Sequence, residues 1–439
     1  MKNKEKKISV IIVGGGPAGM ACGITLARSG KEVLIIERGN FAGAKNMFGG
    51  AVYTKPTMEI FPEFINEKAP VERFINQHKY ILLDDSDSVQ INYTQSKKEN
   101  SYEYEGFTTF RPKWDKWCAQ KAKEAGVCIA ENTVVRELIV ENKKVVGVKT
   151  DYEEYYCDLV VIAEGVNTLL CKQIGLKGMP KPKNVALGVK EVIKLPKEII
   201  EERFNLQDDT GCVIEFAGGV LKGAVALGYV YTNKESVSIG LGVGLDELNR
   251  LKVKPYDLLD EVKAHPTLAP LIKDGELLEY SAHLIPEGGF KDLTKLYSDG
   301  VLVVGDAAGL VNNVHWEGTN LAMISGKLAA ETAIYAIDKN DFSAKTLSLY
   351  KKKLEKSFIF KDLKSYKDIM DIIHVQRESY LGFWISKANE FFKVFTSVDG
   401  VAKKKKFFNY GLSVFKERKI SGLFKDAINF VRIVIGIFK

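Results

Sequence analysis

Ile8-Ser9-Val10-Ile11-Ile12-Val13-Gly14-Gly15-Gly16-Pro17-Ala18-Gly19 is the stretch on which the fold turns. Residues 8–13 are apolar and β-branched apart from Ser9, as in a strand buried on both faces of a parallel sheet. The GxGxxG of Gly14, Gly16 and Gly19 runs into a small-residue helical pattern over Met20 to Ser29. A second strand, Glu32 to Ile36, then ends at Glu37. Gly14 permits a tight turn, Gly16 lets the backbone approach a pyrophosphate, and Gly19 lets helix and strand pack closely. The phosphates belong at the helix N-terminus, beside Pro17 and Ala18. Glu37, 18 residues past Gly19, is placed to accept hydrogen bonds from adenosine ribose hydroxyls. A glycine turn alone has a purely structural explanation; in this strand, loop, helix, strand, acid order it marks a dinucleotide site.

The kind of dinucleotide is decided far downstream. Val301 to Val304 is another buried-strand run, followed by Gly305-Asp306-Ala307-Ala308-Gly309. An Asp at the carboxyl end of a strand, among small residues, can bind the hydroxyls of a ribityl chain, which FAD has and NAD lacks. Glu317-Gly318-Thr319-Asn320 then opens a helix through Ala330, whose N-terminal amides and dipole would stabilise negative charge on a reduced flavin ring. Between these pieces, Asp158 to Thr168 reads as a strand ending in the turn Ala163-Glu164-Gly165. Val134 to Arg136 and Val145 to Lys149 read as a small β-meander, with Val135 covering the adenine edge. Gly240, Gly242 and Gly244 have the wrong spacing for a second nucleotide loop, so a nicotinamide partner on this chain is not expected.

At 439 residues the chain is long enough for two or three lobes. Its net charge of +7 is concentrated at one end: residues 401–439 hold ten Lys or Arg against Glu417 and Asp426, so the remainder is near neutral. That distribution argues against a nucleic-acid-binding face and for an anionic membrane surface met by the tail. The six cysteines show no CxxC pair or cluster, so neither a metal site nor an iron–sulfur centre is expected. The apolar run at the start, Val10 to Val13, is a first strand rather than a signal peptide. No stretch reaches the roughly 18 to 20 apolar residues a spanning helix needs. The expected location is cytoplasmic, peripheral on the inner face of the cell membrane. The five histidines are scattered and unpaired with nucleophile motifs, which suits electron transfer, where the cofactor carries the chemistry.

Five further motifs occur in order: AEGVNTLL (Ala163 to Leu170), VALGVKEVIKLP (Val185 to Pro196), AHLIPEGG (Ala282 to Gly289), VLVVGDAAG (Val301 to Gly309) and HWEGTNLAM (His315 to Met323). Together they resemble the FixC-type relatives of electron-transfer flavoprotein:quinone oxidoreductase, a branch of the geranylgeranyl-reductase-like flavoproteins, over roughly residues 7–335. The resemblance implies an α/β fold: a Rossmann-like FAD-binding domain of the glutathione-reductase/p-hydroxybenzoate-hydroxylase type, an antiparallel substrate lobe and a helical C-terminal region. The expected division is 1–75, 101–180 and 285–335 for FAD, 76–100 and 181–284 for the quinone or substrate lobe, and 336–439 for the helices. It also implies FAD contacts at Gly14, Gly16, Gly19, Glu37, Arg38, Lys45, Asn46, Arg111, Val135, Gly165, Asp306, Gly318 and Asn320; neighbouring Pro17, Ala18, Ala163, Gly305 and Thr319 belong to the same motifs. Arg111 could pair with pyrophosphate as a planar donor fork, and Lys45 and Asn46 could reach the pyrimidine edge of the ring.

Full-length relatives carry a cysteine-rich module for a four-iron cluster, absent here. FixC-type subunits instead work with a small ferredoxin-like iron–sulfur subunit and a two-subunit electron-transfer flavoprotein, and pass electrons to a quinone such as menaquinone or ubiquinone. Glu164 stands where relatives often have Asp, a change expected to be tolerated because the turn depends on Gly165. His315 and Trp316, and secondarily His283 and Glu287, are candidates to line the path to the acceptor. Two other readings share these residues: a prenyl-lipid reductase, and a non-catalytic electron-relay or docking subunit. The tail from Leu423 to Lys439 is expected to form an interfacial amphipathic helix, with Lys425, Asn429, Arg432, Gly436 and Lys439 on its polar face and Ala427, Phe430, Val431, Val434, Ile437 and Phe438 opposite; the alternative is that the same apolar face packs on the flavin domain or on a partner subunit.

Overall fold

The computed structural model describes residues 7–45 and 50–438. Its chain separates into two compact units, one comprising Met1–Phe74, Lys98–Val185 and His283–Lys364, the other Ile75–Lys97, Ala186–Ala282 and Ser365–Lys439.

The first unit is organised by β1 (Ile8–Val13), which pairs in parallel with β2 (Val33–Ile36) on one side and β10 (Glu154–Ile162) on the other. Parallel pairing continues outward to β7 (Cys128–Ala130) and to β17 (Val301–Val303), and β16 (Tyr297–Ser298) adds an antiparallel edge. Val10 to Ile12 and Leu159 to Ile162 are fully buried, because helices cover both faces of a parallel sheet. Crossing them are α1 (Pro17–Arg28), α2 (Arg111–Glu124) and α3 (Thr319–Lys339). The meander is present as β8 (Val135–Glu141) and β9 (Lys144–Thr150), the latter pairing with the start of β10. A short ladder, β3 (Ala51–Tyr53) against β6 (Gly106–Thr108), completes the unit.

In the second unit, β11 (Val185–Lys194), β12 (Thr210–Gly218), β13 (Ala226–Thr232) and β14 (Ser236–Gly244) form an antiparallel sheet. It is flanked by β15 (Glu276–Pro286) beside β11 and by the hairpin of β4 (Phe74–Leu83) and β5 (Ser88–Thr94) beyond β12. The antiparallel sheet expected from residues 181–284 is therefore present. The unit ends in α4 (Trp384–Thr396), α5 (Lys403–Glu417) and α6 (Ile420–Phe438). The tail is thus a helical pair, longer than the single helix expected from Leu423 onward.

Candidate functional site

The glycine loop is held by contacts that only glycine allows. Gly14 has φ +108, and a Cβ there would lie 2.3 Å from the Ala163 carbonyl oxygen. One on Gly19 would lie 2.0 Å from the Gly14 oxygen. A third close approach, at Gly326 on α3, would put a Cβ 2.1 Å from the Ala18 oxygen, so α1 and α3 pack almost backbone to backbone. The first turn of α1 carries no acidic side chain, and its N-cap residue Gly16 supplies no capping group. These amides and the positive dipole end therefore suit an anion such as a pyrophosphate.

Glu37 is buried and engaged: its carboxylate accepts the Gly15 N–H at 2.7 Å and the Gly39 N–H at 2.6 Å. The acid read from sequence as a ribose acceptor thus first clamps the loop, one bond per oxygen, which leaves each oxygen a lone pair for a ligand hydroxyl. Backbone bonds from Glu37 N to Ala130 O and from Thr133 N to Glu37 O lead this edge toward Val135, the first residue of β8. Arg38 and Lys45 are exposed, and Asn46 lies outside the described residues.

Arg111 differs from the expected pyrophosphate fork. Its Nε and Nη2 donate to both oxygens of buried Asp115, at 3.0 and 2.9 Å. The i, i+4 spacing on α2 places the pair on one helix face, so only the remaining Nη1 edge is left for an anion. Arg111 also acts through its charge. Burial raises the Asp306 carboxyl above the usual range, and Arg111 opposes that shift. Burial, with the Asp306 charge added, pushes Glu287 up to about 8. The same two causes in cationic form, burial and then Arg111 and Arg38, lower His283. Tertiary structure thereby gathers Arg38, Arg111, His283, Glu287 and Asp306 into one electrostatic cluster from four separate stretches of sequence.

Asp306 sits in a turn that opens at Gly305 (φ +58), whose N–H donates to Ser325 Oγ on α3 at 3.0 Å. Sequence reasoning missed Ser325, and also Asn312 and Asn313, two buried polar residues just after the apolar pair Leu310-Val311. Asn312 Oδ1 accepts the Val314 and His315 amides, both at 3.2 Å, and its backbone pairs with Glu317. Asn313 Nδ2 donates to the Glu287 carbonyl at 2.7 Å. The loop they tighten forces Trp316 to φ +56, a conformation costly for a bulky residue and characteristic of functional loops. The His315 ring is exposed, and its charge acts on Glu317 and Asp362.

Gly318 caps α3, Thr319 begins it, and Asn320 donates Nδ2 to Glu317 at 3.3 Å. Asn320 Oδ1 is buried without a protein partner, an acceptor that a ligand N–H or O–H would satisfy. Glu164 has a role the turn alone did not suggest. Its carboxylate accepts the Leu170 and Cys171 amides at 3.0 and 3.1 Å, capping the short helix Leu169–Gln173, while Gly165 (φ +75) makes the turn.

In the second unit Asp246, Glu247 and His374 bring ligand atoms within 4.8 Å of one another. Glu247 is already met by Arg250 at 2.6 Å and Arg377 at 3.5 Å, and two guanidinium groups disfavour a divalent cation there.

An anion-ready helix terminus, a buried acid at the end of β2, an Asp turn after β17 and an unsatisfied acceptor at the start of α3 suit the phosphates, ribose, ribityl chain and ring of FAD. The class so defined is an FAD-dependent oxidoreductase. Residues 9–164 match the model of the FAD dependent oxidoreductase family, and residues 185–285 that of the ubiquinone-binding domain of ETF-QO. The chain belongs to the FixC family: it is 43% identical to the FixC protein of Bradyrhizobium diazoefficiens, over 98% of this chain and 99% of that one. It is 40% identical to FixC of Azotobacter vinelandii, with the same coverage of both. A solved structure with this fold is a geranylgeranyl bacteriochlorophyll reductase-like protein of Thermoplasma acidophilum, with 20% identity, TM-score 0.67 and coverage of 94% of this chain and 98% of that one. A flavin-dependent brominase shares the fold at 17% identity and TM-score 0.65, covering 94% of this chain and all of the other.

Proposed function

We propose that this oxidoreductase takes electrons from a two-subunit electron-transfer flavoprotein and delivers them to a quinone, menaquinone or ubiquinone. A small ferredoxin-like iron–sulfur protein serves as a further partner, and the site of action is the inner face of the cell membrane. The observation that carries this reading is the conjunction, in one chain, of a flavin-type cradle with a ubiquinone-binding match over residues 185–285.

Bound FAD supplies the two-electron redox chemistry. Gly14, Gly16, Pro17, Ala18 and Gly19 would hold the pyrophosphate at the α1 terminus, with the Nη1 edge of Arg111 as a charged donor. Glu37 would accept the ribose hydroxyls, beside Val135, Arg38 and the Ala163-Gly165 turn. Asp306, presented by Gly305, would accept from the ribityl chain. Gly318, Thr319 and Asn320 would turn the dipole of α3 toward the ring, where it favours negative charge. Glu287, whose carboxyl stays protonated at neutral pH, would hold a proton at its Oε close to Asp306. His315 and Trp316 would border the acceptor path.

The test is anaerobic. The purified chain, photoreduced and mixed with a soluble quinone, is expected to reoxidise with one quinol formed per flavin. If the reduced flavin ignores quinone but saturates a prenylated lipid, the prenyl-lipid reductase reading replaces this one. If neither acceptor is used unless the iron–sulfur partner is added, the chain is a relay subunit.

A further inference from the structure

Glu215, in the second unit, is a desolvated acid without a partner. On β12 the side chains of Cys212, Ile214 and Phe216 join the apolar core behind the sheet, so alternation puts Val213, Glu215 and Ala217 on the opposite face. Antiparallel register sets Glu215 beside Tyr229 of β13, Tyr229 beside Gly240 of β14, and Gly240 beside Lys190 of β11. A Cβ on Gly240 would lie 2.5 Å from the Tyr229 hydroxyl. The phenol therefore leans across β14, away from β12. Among the described residues the Glu215 carboxyl makes no hydrogen bond or ion pair, and burial raises it above the usual carboxylate range. A desolvated carboxyl left in this state is costly for folding and characteristic of a site that uses it.

The charged neighbours are otherwise engaged. Lys79 of β4 acts on Cys212, whose thiol burial raises and Lys79 lowers, on the core face. Lys190 stands three strands from Glu215, about 14 Å away. The π-helical turn Glu378–Phe383 packs beside β12; Glu378 is exposed, and Arg377 is held by the His374 carbonyl at 2.7 Å and by Glu247 at 3.5 Å. What faces Glu215 from β4 is Tyr80, whose phenol is raised by burial and then by the Glu215 charge, with His78 next along the same face. Tyr80 is paired with Ile91 across the β4–β5 hairpin, and Tyr93 follows Ile91 on that face. All three are exposed, Ile91 by 61%. An apolar, aromatic strip beside a single unpaired carboxyl is the make-up of a small-molecule site, in which apolar walls hold a ligand and one polar group meets its reactive atom.

We propose that Glu215 is the residue that protonates the quinone, which comes to it over Tyr93, Ile91 and Tyr80. The inference rests on the quinone reading of the proposed function, and Glu215 lies within the ubiquinone-binding match over residues 185–285. A quinone becomes a quinol by taking up two electrons and two protons. An anionic reduced flavin gives up two electrons and one proton, so one proton is lacking. Glu215 supplies it: its O–H bond breaks as an O–H bond forms on a quinone oxygen, and the carboxylate that remains is reprotonated from solvent. Burial suits the group to this task, because a carboxyl raised toward neutral pH keeps a proton that an ordinary carboxylate would have lost. The strip of Tyr80, Ile91 and Tyr93 takes the apolar ring and tail.

The FAD-loaded chain, reduced anaerobically, is mixed with a short-tailed ubiquinone across a range of pH. Reoxidation by the parent should slow as pH rises through the raised Glu215 value, because only the protonated carboxyl donates. Glu215→Gln keeps the shape without the acid: kcat should fall about a hundredfold below that value and lose its pH dependence, with KM unchanged. Glu215→Asp should restore the pH dependence and part of the rate. Y80S/I91S should raise KM with kcat kept. All variants should reduce ferricenium, which takes one electron and no proton, as fast as the parent does. A readout without turnover is the infrared difference between parent and Glu215→Gln, which should show a carboxylic-acid carbonyl band that fades with rising pH. A glutamine variant with the parent's rate and pH profile, one slowed equally toward ferricenium, or the absence of that band overturns the role of Glu215 and leaves the quinone reading standing. A parent that reduces ferricenium but no quinone overturns the acceptor, and this inference with it.

Discussion

The glycine cradle of the first unit and the helical tail of the second both bury charge, for opposite reasons. Around Asp306, Glu287 and Arg111 the groups are drawn in but incompletely satisfied: two carboxyls are raised by burial, and the Asn320 acceptor is unmet. Such a site is unfinished without a ligand. Around Lys387 and Arg418 the buried charges are answered within the protein, and the apolar residues are left unmet instead. What a region leaves unsatisfied indicates the chemistry it can take up: that of a polar dinucleotide in one case, that of an apolar surface in the other.

The largest effect that can break this contrast is Gly19→Ala. A methyl group 2.0 Å from the Gly14 oxygen forces the loop to move, at a cost of roughly 3 kcal/mol or more. The purified variant is expected to carry no flavin, while amide exchange in α5 and α6 is unchanged.

Asp426→Ala is the mirror experiment. It strands the Arg418 guanidinium beside a removed carboxylate, typically ~3–5 kcal/mol for a buried pair. Amide exchange of α5 and α6 should rise, with flavin content intact. Burial alone would raise the Asp426 carboxyl, but hydrogen bonds from Arg418 and Trp384 outweigh it and hold the group below its ordinary value. Its contribution is therefore full above the ordinary carboxylate range and lost as pH falls through the lowered value.

Glu287 has the opposite sign, which sharpens the comparison. Its carboxyl, raised from 4.5 to about 8, makes the folded state the tighter proton binder between those values. The FAD-free chain should thus lose stability as pH rises from 4.5 toward 8. The difference in melting temperature between parent and Glu287→Gln, followed across that window, should shrink or invert with rising pH; a constant difference would show that Glu287 does not titrate there.

The smallest effect belongs to Glu164→Asp. The shorter side chain loses reach to the Leu170 and Cys171 amides that Glu164 now caps, and an imperfect cap costs up to ~1 kcal/mol. Thermal unfolding should register a shift of a few degrees with flavin content unchanged.

The parts of the fold legible in the sequence were those whose physics is local. Val10 to Val13, Gly14 to Gly19 and Val301 to Asp306 each announce strand, turn and helix start through their own composition, so the parallel sheet and the FAD class followed from them. The family motifs extended that reading to the antiparallel sheet. Pairwise choices were not legible. That Asp115 takes two of the Arg111 donors was signalled in the sequence only by their i, i+4 spacing on α2. Asn313 and Ser325 were likewise silent, because Glu287 and Gly305, which they meet, lie on other stretches of the chain.

The tail shows where the limit falls. Its 3.6-residue period, its basic excess and its lack of a spanning length are properties of the sequence, since they depend on order alone. Which face turns inward is a tertiary decision: Asp426 is buried because Arg418, Trp384 and Tyr380 converge on it from other helices and turns. A charge enters the interior only where partners already stand, and no one-dimensional pattern records where they stand.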